Sequence, residues 1–138
     1  YINRGIVYSL NEQTENALSD FNESIRLGPD VMENYINRAN LYFQIDSFKL
    51  AKMDLEKVYS NNQKIYRNNY LLAKVYFELG EREKGLNVLN KYAGNQQFAS
   101  NIAQQLLAEG YVEESIPYFN IRFHIFYSVS IMFSKSWI

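Results

Sequence analysis

The sequence contains no cysteine, one histidine, two prolines and six glycines in 138 residues. Without thiols there is no disulfide framework, no thiolate metal site and no cysteine nucleophile. A single histidine, His124, rules out two-histidine zinc patterns. The scarcity of proline leaves long uninterrupted helices open. There is no basic excess either: 14 Lys and Arg face 15 Asp and Glu, for a formal charge of −1. Binding to nucleic acid draws on counterion release by clustered cations, and this chain has no surplus of them. Long apolar runs are also missing. The most apolar stretch, 121–138, is interrupted by Arg122, His124 and Lys135, whereas a membrane-spanning helix needs about 18 or more mostly apolar residues.

What remains is a chain of globular composition, 47% hydrophobic and 21% charged, so wholesale disorder is not expected. Aromatic residues reach 16%, twelve of them Tyr, and Tyr suits both helix seams and binding surfaces. No glycine-rich phosphate loop occurs: Gly80 and Gly85 flank charged residues without the Lys-Ser/Thr ending. The carboxylates Glu12, Asp20, Asp54, Glu78 and Glu113 read as solvated positions on helix surfaces. His124 lies among aromatics with no partner to orient it as a general base. The expectation is therefore a chain with no catalytic residues, no cofactor and no metal site.

The positive signal is an internal repeat. Tyr1-Ile2-Asn3-Arg4-Gly5 recurs 34 residues later as Tyr35-Ile36-Asn37-Arg38-Ala39. Small residues fall at Gly5, Ala39 and Ala73, with Tyr8, Tyr42 and Tyr76 three positions on. A second small series is Ala17, Ala51 and Gly85, followed four residues later by Phe21, Leu55 and Leu89. Small residues at both places let two helices approach within the usual 8–10 Å, and the bulky ones fill the space beside that contact. A weaker fourth unit keeps the order with Ala103, Leu106, Gly110, Ser115 and Phe119. Ala103 follows Ala73 by 30, which implies a shorter turn around Gly94 to Gln97.

These residues resemble the tetratricopeptide repeat family, whose unit is a 34-residue pair of antiparallel helices. Gly5, Tyr8, Ala17, Phe21 and Pro29 stand where that family has Gly, Tyr, Ala, Phe and Pro. Leu55 and Gln63 depart from the pattern in the second unit. The resemblance implies an all-α, right-handed superhelical solenoid of three to four hairpins over residues 1–120, with repeats near 1–30, 31–64, 65–94 and 95–126. First helices are expected near 1–10, 31–44, 65–79 and 97–108, and second helices near 14–27, 47–60, 82–93 and 112–126. Thr14 and Ser47 are the candidate N-caps. The stretch 121–138 forms a hydrophobic, aromatic tail, expected to pack on the open end of the stack or against another copy of the chain.

By the same resemblance, first helices line a concave groove that receives a partner peptide or helix. Stepping by three and four residues, one face carries Asn37, Asn40 and Phe43 from the second unit. The third adds Arg67, Tyr70, Lys74 and Phe77, and the fourth Gln104. Asn amides both donate and accept, Tyr70 and Phe77 could hold an apolar side chain, and Arg67 or Lys74 an acidic group. Some family members clamp a C-terminal carboxylate. Asn37 and Arg67 match that pattern, but Ile2, Ile6 and Leu71 occupy its other places, which argues against a chaperone-tail clamp. The expected role is a protein-interaction scaffold, and the alternative a regulatory or docking segment of a larger enzyme or sensor. The start at Tyr1, with no Met and no leader, reads as an incomplete N-terminus. A cytoplasmic location is marginally favoured, and export stays open.

Overall fold

A computed structural model describes residues 1–61 and 65–119. The tail expected over 121–138, with its self-association, therefore lies outside the described residues. Seven helices follow one another: α1 (Ile2–Leu10), α2 (Thr14–Leu27), α3 (Met32–Gln44), α4 (Phe48–Asn61), α5 (Tyr66–Glu78), α6 (Arg82–Asn90) and α7 (Gln96–Ala108). An eighth, α8, occupies 112–119, and no strand occurs among the described residues. The chain divides into two compact units, Tyr1–Val88 and Leu89–Ile138.

In the first unit each helix packs on the next, from α1 through α5, and the first helices also meet, α1 with α3 and α3 with α5. The small residues make these approaches possible. Ala17, Ala39, Ala51 and Ala73 have no exposed surface at all. At Gly5 even a Cβ would lie 2.8 Å from the Phe21 ring, so glycine is required by space. Phe21 and Leu55, each 1% exposed, fill the gaps beside those contacts. Burying a side chain of that size contributes roughly 2–3 kcal/mol. Around them Ala17, Phe21 and Leu41 form one apolar cluster, and Leu55, Leu71, Leu72, Val75, Tyr76 and Val88 belong to another.

Every hairpin turn has one backbone design. Glu12, Asp46, Gly80 and Gly110 adopt positive φ, at 59°, 56°, 73° and 91°. The following amide donates back to the last turn of the first helix: Gln13 to Tyr8 O, Ser47 to Tyr42 O, Glu81 to Tyr76 O and Tyr111 to Leu106 O, all at 2.8–2.9 Å. This is a Schellman closure, which satisfies the orphan carbonyls at a helix end. The same residues then start the second helix, because their carbonyls accept from Ala17, Ala51, Gly85 and Ser115. The N-cap of α2 is accordingly Gln13 and not Thr14, which is already helical. Ser47 does stand immediately before α4.

Two further expectations need correction. The four residues lost between the third and fourth repeats do not shorten the turn. Instead α6 is five residues shorter, 9 where α2 and α4 have 14, and the connection after it, 91–95, is one residue longer than 28–31. Residues 91–94 form turns in place of its last helical stretch, and the Asn95 side chain accepts from Gln97 N at 2.8 Å to start α7. In the second unit the bulky series also shifts. Tyr118 is 1% exposed and its hydroxyl donates to Asn90 Oδ1, whereas Phe119, the expected core residue, is 36% exposed.

Candidate functional site

The first helices α1, α3 and α5 lie side by side, so residues stepping along one face of α3 meet residues of α5. Lys74 shows this most directly. Its ammonium stands 5.0 Å from the centre of the Phe43 ring on α3 and 5.3 Å from that of Tyr70 on its own helix. A cation over two aromatic faces is attracted by both ring quadrupoles. Three of the residues expected on the groove face are thereby brought together.

The others are placed as follows. Asn37 is half-buried on α3. Asn40 is half-buried, and its amide donates to Ile36 O at 2.8 Å within its own helix. Phe43 packs edge-on against Phe48 of α4, with centroids 5.5 Å apart, and rests on the core. Arg67 is exposed near the start of α5. Tyr70 is only 4% exposed, so it is a floor under Lys74. Phe77 is half-buried and turned toward α6, where its ring occupies the space a side chain at position 85 would need. Gln104 is exposed on α7 in the second unit.

The strongest polar features were not among these residues. Arg4 and Arg38 each form a two-pronged ion pair across their hairpin. Arg4 Nε and Nη2 donate to Asp20 at 2.7 Å each, and Arg38 does the same to Asp54 at 2.8 and 2.7 Å. Asp20 and Asp54 are 4% and 5% exposed, so they are not the solvated surface carboxylates expected. The reason is the hairpin itself, which lays the recurring Arg of the first helix over the recurring Asp of the second. Hydrogen bonding and charge from Asp20 raise the Arg4 pKa, and Arg4 in turn holds the Asp20 carboxyl below the usual range. Arg38 is raised in the same way by its bonds to Asp54.

A second polar group joins the second and third hairpins. Lys52 of α4 donates to Glu81 at 2.6 Å, and Lys84 donates to the other oxygen of the same carboxylate. The two lysines hold Glu81 below the usual carboxylate range, Lys52 contributing most. Nearby the Tyr76 hydroxyl donates to Glu56 at 2.7 Å, and burial, reinforced by that bond, raises its pKa. These are bracing contacts between helices. Among the described residues no three His, Cys, Asp or Glu side chains converge to hold a metal ion, and no helix is long and apolar enough to cross a membrane.

Antiparallel helix pairs recurring every 34 residues, with small residues at each crossing, define a helical-repeat solenoid, the architecture of a protein-interaction scaffold. The tetratricopeptide repeat family model matches residues 33–65. Over 84 residues the chain is 32% identical to mouse (Mus musculus) DnaJ homolog subfamily C member 7, and 29% identical to the human (Homo sapiens) protein of that name. Each match covers 61% of this chain but only 17% of the relative's length. Among solved structures, MamA from Desulfovibrio magneticus RS-1 superposes with a TM-score of 0.66 at 19% identity, covering 90% of this chain and 72% of that one. A tetratricopeptide repeat protein from Parabacteroides merdae superposes at 0.62 with 23% identity, covering 88% and 49%. At such identities the structures speak for the fold alone.

Proposed function

We propose that the chain binds a protein partner through the face formed by its first helices, with α3 and α5 supplying the contact residues. The observation that carries this reading is the convergence of Lys74, Phe43 and Tyr70 from two different repeats. It creates a patch with an apolar base and a cationic centre, flanked by the exposed Arg67 and the half-buried amides of Asn37 and Asn40. Such a patch favours an extended or helical peptide that offers backbone groups to the amides and an acidic side chain to Lys74 or Arg67. Phe43 and Phe77, both half-buried, would flank an apolar residue of that peptide.

A displayed peptide library panned on the intact chain tests the proposal. Selected peptides should carry acidic residues and should lose at least tenfold in affinity for an Asn37→Ala/Arg67→Ala/Lys74→Ala variant. That variant should keep the circular dichroism of the parent. Undiminished binding by the variant would move the partner site off this face.

A further inference from the structure

The 34-residue period makes the gap between the first and second hairpins comparable, position by position, with the gap between the second and third. At the turn end of the later gap, Phe43 of α3 and Phe48 of α4 meet edge to face with centroids 5.5 Å apart. Both rings pack on the cluster that holds Leu72, Val75 and Tyr76. One period earlier these two positions are Ser9 and Thr14. The first gap follows the same plan without its rings.

A cavity of about 450 Å³ stands in their place, within the range of about 300–1,000 Å³ usual for ligand sites. Its floor is Leu41, 3% exposed and seated in the cluster of Ala17 and Phe21. The half-buried Ser9 and Thr14 form its walls. Apolar surface is left open at the rim, where Leu10 is 77% exposed and Ile45 39%. Leu79, the counterpart of Ile45, is by contrast half-buried and packed on the core. Two polar side chains complete the rim. Gln44 Oε1 accepts from Ser9 Oγ at a long 3.4 Å, and the Glu12 carboxylate makes no hydrogen bond or ion pair among the described residues. None of the residues lining the cavity is basic.

We propose that this cavity is a socket for one aromatic side chain of a partner protein. The occupant is a tryptophan or tyrosine that buries its ring against Leu41, Leu10 and Ile45 and donates its N–H or O–H to Gln44 or Glu12. The molecule supplies its own template for the ring, since the equivalent space one repeat on holds two phenyl groups. The rim selects the polar tip: it offers acceptors and no cation, so a donor is welcome and an acidic group is repelled. Tryptophan and tyrosine join an apolar body to a donor in one side chain, and aromatic anchors seated in pockets carry much of the energy of protein interfaces. The socket lies between α1 and α3 and prefers the opposite charge to the Lys74 patch, so it goes beyond the contact face proposed above.

The test titrates the 138-residue chain with N-acetyl-tryptophanamide and follows the Leu41 and Ile45 methyl groups by NMR. Saturable shifts at both should give a dissociation constant of about 0.5 mM. N-acetyl-tyrosinamide should behave similarly, and the phenylalanine analogue, which lacks the donor, should bind about threefold more weakly than tyrosine. Ser9→Phe/Thr14→Phe installs the rings of the later gap; it should weaken the probe by about tenfold or more and raise the thermal midpoint by about 4 °C. Leu10→Ser, at a residue too exposed to matter for folding, should weaken the probe about fivefold and keeps the question open to measurement if the ring-filled variant does not fold. Undiminished binding in either variant would overturn the proposal, as would the absence of shifts at Leu41 and Ile45 at about 10 mM probe. Free indole bound about tenfold more tightly than the peptide-like probe would overturn it too, because the cavity would then serve a small molecule.

Discussion

The first two hairpins and the third solve one packing problem in opposite ways. In the first two, an Arg on the first helix grips an Asp on the second: Arg4 with Asp20, then Arg38 with Asp54. In the third, the same register positions are Leu72 and Val88, 1% and 6% exposed within one apolar cluster. The turns divide along a similar line. Glu12 and Asp46 hold the left-handed position in the first two hairpins, and Gly80 holds it in the third. A register position in this stack is therefore defined by geometry, and either charge pairing or apolar contact can fill it. The ionic version demands both partners, because a buried pair gains little over an apolar pair but loses heavily when one member is removed.

Four measurements would break or sharpen that contrast. Leu72→Arg puts an unpaired cation where there is almost no exposed surface, and should cost about 3–5 kcal/mol. Adding Val88→Asp should recover part of the loss, as read from urea midpoints. Asp54→Ala strands Arg38 and should cost about 3 kcal/mol, while the double change Arg38→Leu/Asp54→Val, which installs the third hairpin's solution, should be far less harmful than Asp54→Ala. A double variant as unstable as the single one would mean the two solutions are not interchangeable.

The third measurement uses acid. Asp20, Glu23 and Glu81 are held below their ordinary values of 3.8, 4.5 and 4.5. Groups with depressed folded pKa values stabilise above their unfolded values, and that stability is lost as pH falls through the folded values. Stability should thus hold from neutrality to about pH 4.5 and then decline. Amide exchange should show α1 and α2 losing protection before α5, whose Leu72–Val88 contact has no proton to take up. The smallest effect concerns the turns. Asp46→Gly should gain about 0.5–1 kcal/mol by relieving a left-handed non-glycine residue, and Gly80→Asp should lose a similar amount; chemical denaturation resolves both.

Much of the fold was legible because small residues at helix crossings have no substitute. Gly5, Ala39 and Ala73 announce the period, and each proves to sit where a larger side chain would push two helices apart. The ion pairs were not read, although their signal was present. Arg4 and Arg38 share the period with Asp20 and Asp54, and both partners disappear together at Leu72 and Val88. Read one at a time, each carboxylate resembles an ordinary solvated residue. Only the hairpin, which brings residues 16 apart in sequence into contact, shows otherwise. Of the residues expected to share a face, steps of three and four do bring Lys74 beside Phe43. The burial of Tyr70 depends on neighbouring helices and carries no local mark. The shortened α6 was misplaced for a similar reason: a 30-residue spacing counts the missing residues but does not say whether helix or loop gives them up.

The joint between the first two hairpins has a mechanical meaning. Asn34 donates to Ser24 O and Gly28 O, Tyr35 donates to Pro29 O, and Lys57 reaches both Pro29 O and the Tyr35 hydroxyl. A solenoid joined only by nearest-neighbour contacts is a spring whose stiffness is set leaf by leaf. At this leaf, α2, α3 and α4 are laced through the backbone of a single turn, so an opening force must break several short bonds at once.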